Sequence, residues 1–228
     1  MEHAEWQKPD GKKGRSGMNK QELAQWFDDL KGLLEPAYVA AEKPWQQSGF
    51  GIHDTQRTFE RWEAHRKPVA DAVTSSGAFL DIGCANGFLL ECVLQWVRER
   101  DLTVIPYGLD LSEKLVEMAK ARLPQYAGNM FVGNGWDWTP PQTFDYVRTE
   151  LVYVPDELQQ AYVQRILNLY LHRGGRLLAA EYRGRNDTAP ALTVDRDLAA
   201  LGFPIERVTT GTWEGIEQVR VAMIPRPA

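Results

Sequence analysis

The chain has 228 residues, with 26 Lys and Arg against 31 Asp and Glu and a formal net charge of −5. Hydrophobic residues make up 43% and charged residues 25%, a globular composition that excludes collagen-like, disordered and disulfide-scaffold chains. A chain of this length forms one large domain, or a domain with an appendage, and buries ~70% of its unfolded surface. The acidic balance argues against holding nucleic acid by bulk charge.

Cys84 and Cys92 lie eight apart in one apolar region, which is neither a disulfide framework nor a metal-ligand spacing, so no metal is expected. No apolar run approaches the ~18 residues of a membrane helix. The chain reads as a cytoplasmic protein with reduced thiols.

Residues 1–17 are polar, with Lys8, Lys12, Lys13 and Arg15 and little to bury. They lack the apolar core of a secretory signal and are expected to form a mobile tail before Met18. Asn19 and Glu22 make a capping box, and Leu23, Trp26, Phe27, Leu30, Leu33 and Leu34 follow at helical spacing. A second helical stretch covers 56–74, where Pro68 should interrupt and start a new turn. Between the two, the loop Lys43–Gly51 carries Trp45 and Phe50.

From residue 78 strands alternate with helices. Strands are expected near 78–82, 107–111, 129–133, 144–151, 175–182, 204–210 and 216–224, and helices near 87–99, 112–123, 155–172 and 192–201. Pro106 would spoil a central strand, which should therefore begin at or after it. Ser112 caps the helix carrying Leu115 and Val116, and Gly174-Gly175 should close the helix over 155–172. Such alternation means a parallel sheet covered on both faces. The segment Gly211–Gly215 is of hairpin length, so one edge runs antiparallel. The expected architecture is α/β: a doubly wound, mostly parallel seven-stranded sheet with an antiparallel edge hairpin. It divides into a tail (1–17), an N-terminal helical cap (18–75) and the sheet domain (76–228).

The most informative stretch is Asp81-Ile-Gly-Cys-Ala-Asn-Gly87. A short apolar strand ends in an acid, small residues turn, and a helix begins. Small residues let backbone N–H groups approach a ligand, and the helix N-terminus adds partial positive charge. A dinucleotide fingerprint needs a glycine where Phe88 stands, and a phosphate loop needs a Gly-Lys pair that is absent. Asp81 would repel a pyrophosphate and suits a ligand carrying an ammonium or sulfonium.

Asp81-x-Gly83-x-Ala85-x-Gly87 resembles the first motif of the class I S-adenosylmethionine-dependent methyltransferases. The resemblance continues through Tyr107-Gly-Leu-Asp110-Leu-Ser, Phe131-Val-Gly-Asn134-Gly-Trp136, Phe144-Asp-Tyr-Val-Arg-Thr-Glu150, Gly174-Gly-Arg-Leu-Leu and the terminal hairpin, over about 78–224. It departs from the family at Ala85, where a middle glycine is commoner, and at Asn134, where an aspartate is usual. It implies a Rossmann-like methyltransferase fold binding S-adenosylmethionine and releasing S-adenosylhomocysteine (SAH). The turn Asp81, Gly83, Cys84, Ala85, Asn86 and Gly87 would cradle the cofactor. Asp110, followed by Leu111, would grip the ribose, Asn134, Gly135 and Trp136 would hold adenine, and Glu150 would lie near the methionine. Trp136 could equally be a packing residue.

Substrate-proximal groups are then Glu150 and Tyr153, while His53, in the loop region over the site, is the histidine chosen as a candidate base. The Asn/Asp-Pro-Pro-aromatic signature of amino-methylating relatives is absent, with Thr-Glu-Leu-Val-Tyr in its place. The expected activity is methyl transfer to a small-molecule acceptor by in-line displacement. Two alternatives stand. An RNA methyltransferase of the same fold would use the strip Arg57, Phe59, Arg61, Trp62, Arg66 and Lys67. A nicotinamide-binding oxidoreductase is disfavoured by Phe88 and Asp81. Oligomeric state is left open, and no membrane contact is expected.

Overall fold

The computed structural model describes residues 18–50, 58–184 and 191–227; the expected tail and His53 lie outside this range. Asn19 caps α1 (Lys20–Val39) as its sequence predicts. Its side chain accepts from the Gln21 and Glu22 amides, and Glu22 Oε2 accepts from the Asn19 amide at 2.9 Å. The second helix, α2 (Phe59–Asp71), runs unbroken through Pro68. Pro68 deprives the Ala64 carbonyl of its helical donor, and that carbonyl lies against Gly211 of the terminal hairpin, where a side chain could not fit.

The strands are β1 (Gly77–Ile82), β2 (Val104–Asp110), β3 (Met130–Val132), β4 (Phe144–Thr149), β5 (Leu171–Tyr182), β6 (Arg207–Trp213) and β7 (Ile216–Pro225). They form one seven-stranded sheet in the order β3-β2-β1-β4-β5-β7-β6. Pairing is parallel as far as β5, and β7 runs antiparallel to both β5 and β6. The interleaved helices are α3 (Phe88–Arg98), α4 (Glu113–Arg122), α5 (Gln159–Arg165) and α6 (Val194–Ala200).

Two details depart from expectation. Strand β2 begins at Val104 and contains Pro106. Pro106 registers with Phe79 of β1, while β3 pairs only from Gly108 onward. The missing N–H therefore faces the side where β2 has no partner strand, and the Pro106 carbonyl on that side takes the Asn129 side chain at 3.1 Å. The helix expected over 155–172 is shorter: α5 runs into a wide turn at Ile166–Tyr170, and β5 begins at Leu171. Gly174, at φ 81°, lies in an irregularity of β5 opposite Phe144–Tyr146, not at a helix end. His172, at the start of β5, pairs with Asp145 at 2.7 Å.

Alternate residues of each strand feed opposite faces. Phe79, Leu178, Ala180 and Val221 pack under α2, α3 and α4, while Leu80, Leu177, Ala179 and Ala222 pack with α5, α6 and Phe27 of α1. Helix α2, grouped in the sequence with the cap, is thus part of the layer on the sheet. Trp62 and Val69 are fully buried there. This placement interrupts the basic and aromatic strip: Trp62 and Arg66 are buried, Phe59, Arg61 and Lys67 stay partly exposed, and Arg57 lies outside the described residues. Among the described residues no helix is long and apolar enough to cross a membrane.

Candidate active site

The chain leaves β1 for β2 and β3 on one side and returns to β4 and β5 on the other. Loops at the carboxyl ends of β1 and β4 therefore part and leave a crevice. A cavity of about 750 Å³ opens there, floored by the strand ends and roofed by Leu30, Leu34 and Tyr38 of α1.

The turn after β1 is built from three left-handed residues, Gly83 (φ 78°), Ala85 (φ 47°) and Gly87 (φ 75°). Gly83 and Cys84 amides both donate to the Leu109 carbonyl at 2.7 and 3.1 Å, which ties the turn to β2. A Cβ on Gly83 would sit 2.5 Å from the Tyr153 ring and hydroxyl. Asp81, Gly83 and Ala85 line the cavity; Cys84, Asn86 and Gly87 do not. The Cys84 side chain turns toward Gly108, and burial pushes its thiol well above the usual range, so it is no nucleophile. Asn86 is fully buried, and its amide nitrogen donates to the Pro44 carbonyl at 3.1 Å and Gln47 Oε1 at 3.0 Å. It fastens the segment before Phe50 to the turn.

At the tip of β2, Asp110 Oδ2 accepts from the Ala85 amide at 2.8 Å and Oδ1 from the Ser112 amide at 2.9 Å. Desolvation raises its pKa despite these bonds. Each oxygen keeps a further lone pair, and Asp110 and Leu111 line the cavity. Ser112 caps α4 through Leu115 and donates to Glu35 Oε2 of α1 at 2.7 Å. Lys114 reaches the other Glu35 oxygen at 2.8 Å, and these bonds hold the Glu35 carboxyl below its usual range. After β3, Asn134, Gly135 and Trp136 line the cavity. Asn134 Oδ1 accepts from the Trp136 amide at 2.8 Å, which leaves its NH₂ to offer a ligand. Trp138 packs instead on Phe131 and Tyr170.

The floor holds a group absent from the expected site. Arg148, in β4, is 2% exposed. Its Nη1 donates to Asp81 Oδ1 at 3.1 Å and Tyr153 Oη at 3.2 Å, and Nη2 to Tyr182 Oη at 3.1 Å and to Glu150 Oε1. Tyr153 donates to Glu150 Oε1 at 2.8 Å. Burial holds the Tyr153 hydroxyl well above its usual range, so it stays protonated and serves as a donor, not a base. Asp81 is raised to about 6, burial outweighing its arginine. The one sequence signal for Arg148 was a cation in the interior of an expected parallel strand.

Beside this cavity, Asp81 Oδ2, Arg66 Nη1 and Arg148 Nε are buried atoms without hydrogen-bond partners among the described residues. Arg66, from α2, lies over the Tyr182 ring at 3.6 Å, and Gly49 packs so closely on its Nη2 that no side chain would fit there. A free carboxylate oxygen and a free guanidinium nitrogen in one cavity fit the ammonium and carboxylate of an amino acid. Phe50 also lines the cavity, whereas Trp45 packs on Phe59 away from it.

A profile described as a methyltransferase domain matches residues 79–175. Over that stretch the chain is similar to a methyltransferase domain. The match runs from Phe79 in β1 to Gly175 in β5, leaving α1, α2 and the hairpin outside it. Three solved structures resemble the methyltransferase fold seen here. The 1,6-didemethyltoxoflavin-N1-methyltransferase of Burkholderia thailandensis, crystallised with 1,6-didemethyltoxoflavin and SAH, is 14% identical with TM-score 0.62, covering 94% of each chain. The magnesium protoporphyrin IX methyltransferase of Synechocystis PCC 6803, crystallised with S-adenosylmethionine, is 17% identical with TM-score 0.55 over 93% of this chain and 100% of that one. The (4+2)-cyclase SpnF is 16% identical with TM-score 0.56 over 94% of this chain and 100% of that one. At these identities the likeness is one of fold. No curated protein matches the sequence.

Proposed function

We propose that the protein transfers a methyl group from S-adenosylmethionine to a small-molecule acceptor. The observation that carries this is Asp110: a carboxylate at the tip of β2, locked to the glycine turn and open to the cavity, suits two vicinal ribose hydroxyls. Asp81 and Arg66 would take the ammonium and carboxylate of the methionine end. Asn134, Gly135 and Trp136 would hold adenine, with Leu111 beside the ribose. Cys84, Asn86 and Gly87 act by shaping the turn.

When bound, the cofactor supplies an electrophilic methyl on a sulfonium. The chain's own part is to align the acceptor and exclude water, effects worth up to ~7–11 kcal/mol. Helix α1, acting as a cap, closes the cavity with Leu30, Leu34 and Tyr38. Glu150 is the carboxylate placed to receive an acceptor proton, with Tyr153 orienting it through the 2.8 Å bond. The B. thailandensis methyltransferase and the Synechocystis methyltransferase, whose names give small molecules, support a small acceptor, as does the roofed cavity. The RNA reading loses support with Trp62 and Arg66 of its strip buried.

Calorimetric titration with SAH and NADH side by side tests the cofactor: SAH should bind and NADH should not. Labelled S-adenosylmethionine added to a metabolite extract should then label a low-molecular-mass fraction. Labelling of RNA alone, falling steeply with added salt, would reverse the acceptor class. Binding of SAH with no labelled product would leave a cofactor-binding protein without transfer chemistry.

A further inference from the structure

We propose that Arg148 is a positioning residue for the cofactor's amino-acid end: it pins Asp81 by one carboxylate oxygen, keeps it charged, and leaves the other oxygen for the ligand's ammonium. This rests on the cofactor reading above and goes beyond it. The guanidinium cannot easily turn, because its two terminal nitrogens are held by Asp81 from β1, Glu150 and Tyr153 beyond β4, and Tyr182 from β5. Asp81 Oδ1 is the oxygen so held, while Oδ2 has no partner among the described residues. A carboxylate 1% exposed would take up a proton unless a cation paired with it. The same cation holds Glu150, so cofactor floor and acceptor wall are joined through one side chain.

The groups facing Asp81 are Arg148 and Glu150 from β4 and its end, Asp110 from β2, and Tyr153 from the turn at Leu151–Tyr153. Tyr182 from β5, Arg66 and His65 from α2, and Tyr38 from α1 share the cavity. The test is the pH dependence of SAH affinity, from about pH 5 to about pH 8.5, in the full chain and three variants. In the wild type, affinity should fall as pH drops through about 6, where free Asp81 protonates. Asp81→Asn should lose this limb, which separates Asp81 from His65. Arg148→Met should move the limb up by about one pH unit or more, costing roughly tenfold in affinity at about pH 5, about twofold at neutral pH and almost nothing in alkali. Arg148→Lys keeps the charge without the fork and should shift the limb by less; it carries the test if the methionine variant does not fold. An unshifted limb in both arginine variants, a loss of affinity equal at every pH, or a limb that survives Asp81→Asn would overturn the proposal. A wild type that does not bind SAH at all would instead overturn the cofactor reading.

Discussion

Two side chains decide most of the site's chemistry. Asp110 is held by two backbone amides, so removing it leaves those donors exposed to the cavity and deletes the ribose acceptor. Asp110→Ala should weaken SAH binding by ~2 kcal/mol, about thirtyfold, with the fold retained; calorimetry and circular dichroism check both. Ala85 adopts φ 47°, a region that costs an L-residue ~1–2 kcal/mol. Ala85→Gly relieves that strain, partly offset by the entropy of a freer unfolded chain. It should raise stability by about 0.5–1 kcal/mol in urea unfolding. Asp110 and Ala85 were both visible in the sequence, since an acid at a strand end and a small-residue turn are local patterns. Arg66 and Arg148 were not readable as site residues. Their meaning depends on which carboxylates and rings stand opposite, and those lie far along the chain.

At the scale of elements, two contacts place helices over the site. Gly211 of β6 accepts the Ala64 carbonyl of α2 at a distance no Cβ allows. Gly211→Ala should therefore shift α2 and cost ~1–3 kcal/mol. Because α2 also carries Arg66, SAH affinity should fall with it. A melting temperature unchanged from wild type would show that the two backbones can part cheaply. Helix α1 docks through Glu35 on Ser112 and Lys114, next to Asp110. Glu35→Ala should leave the sheet folded but release SAH several-fold faster, as read by stopped-flow displacement. Capping box, strand order signals and the terminal hairpin were legible from residue patterns. The hairpin turn itself is tighter than expected, with Trp213 paired to Ile216 and both Glu214 and Gly215 at positive φ. The passage of α2 through Pro68 was not legible, because the compensating contact comes from β6.

For the whole molecule, stability should fall as pH rises from about 4 toward neutrality. Burial raises Asp81 from 3.8 to about 6. Its contribution to stability is therefore complete below the unfolded value and lost as pH climbs through about 6. His172 is raised above 6.5 by Asp145, so its smaller, half-exposed contribution is likewise lost as pH rises through its folded value. Melting temperatures of the ligand-free protein should decline between about pH 4 and about pH 7, and Asp81→Asn should flatten much of that decline. A melting temperature that rises over this range would contradict the assignment of Asp81 as a buried, costly charge.

Period-two and helical spacing of apolar residues, with caps and turns at their ends, were enough to specify a parallel α/β sheet ending in a hairpin, and an acid after each of its first two strands. Those features depend on neighbours a few residues apart, which any local reading can see. The buried guanidinium uniting β1, β4 and β5, the placing of Arg66 over Tyr182 in the same cavity, and the sorting of α2 onto the sheet and α1 over the cavity arise only on folding. They depend on Coulombic and packing partners brought together from distant parts of the chain, and one dimension carries no record of that distance.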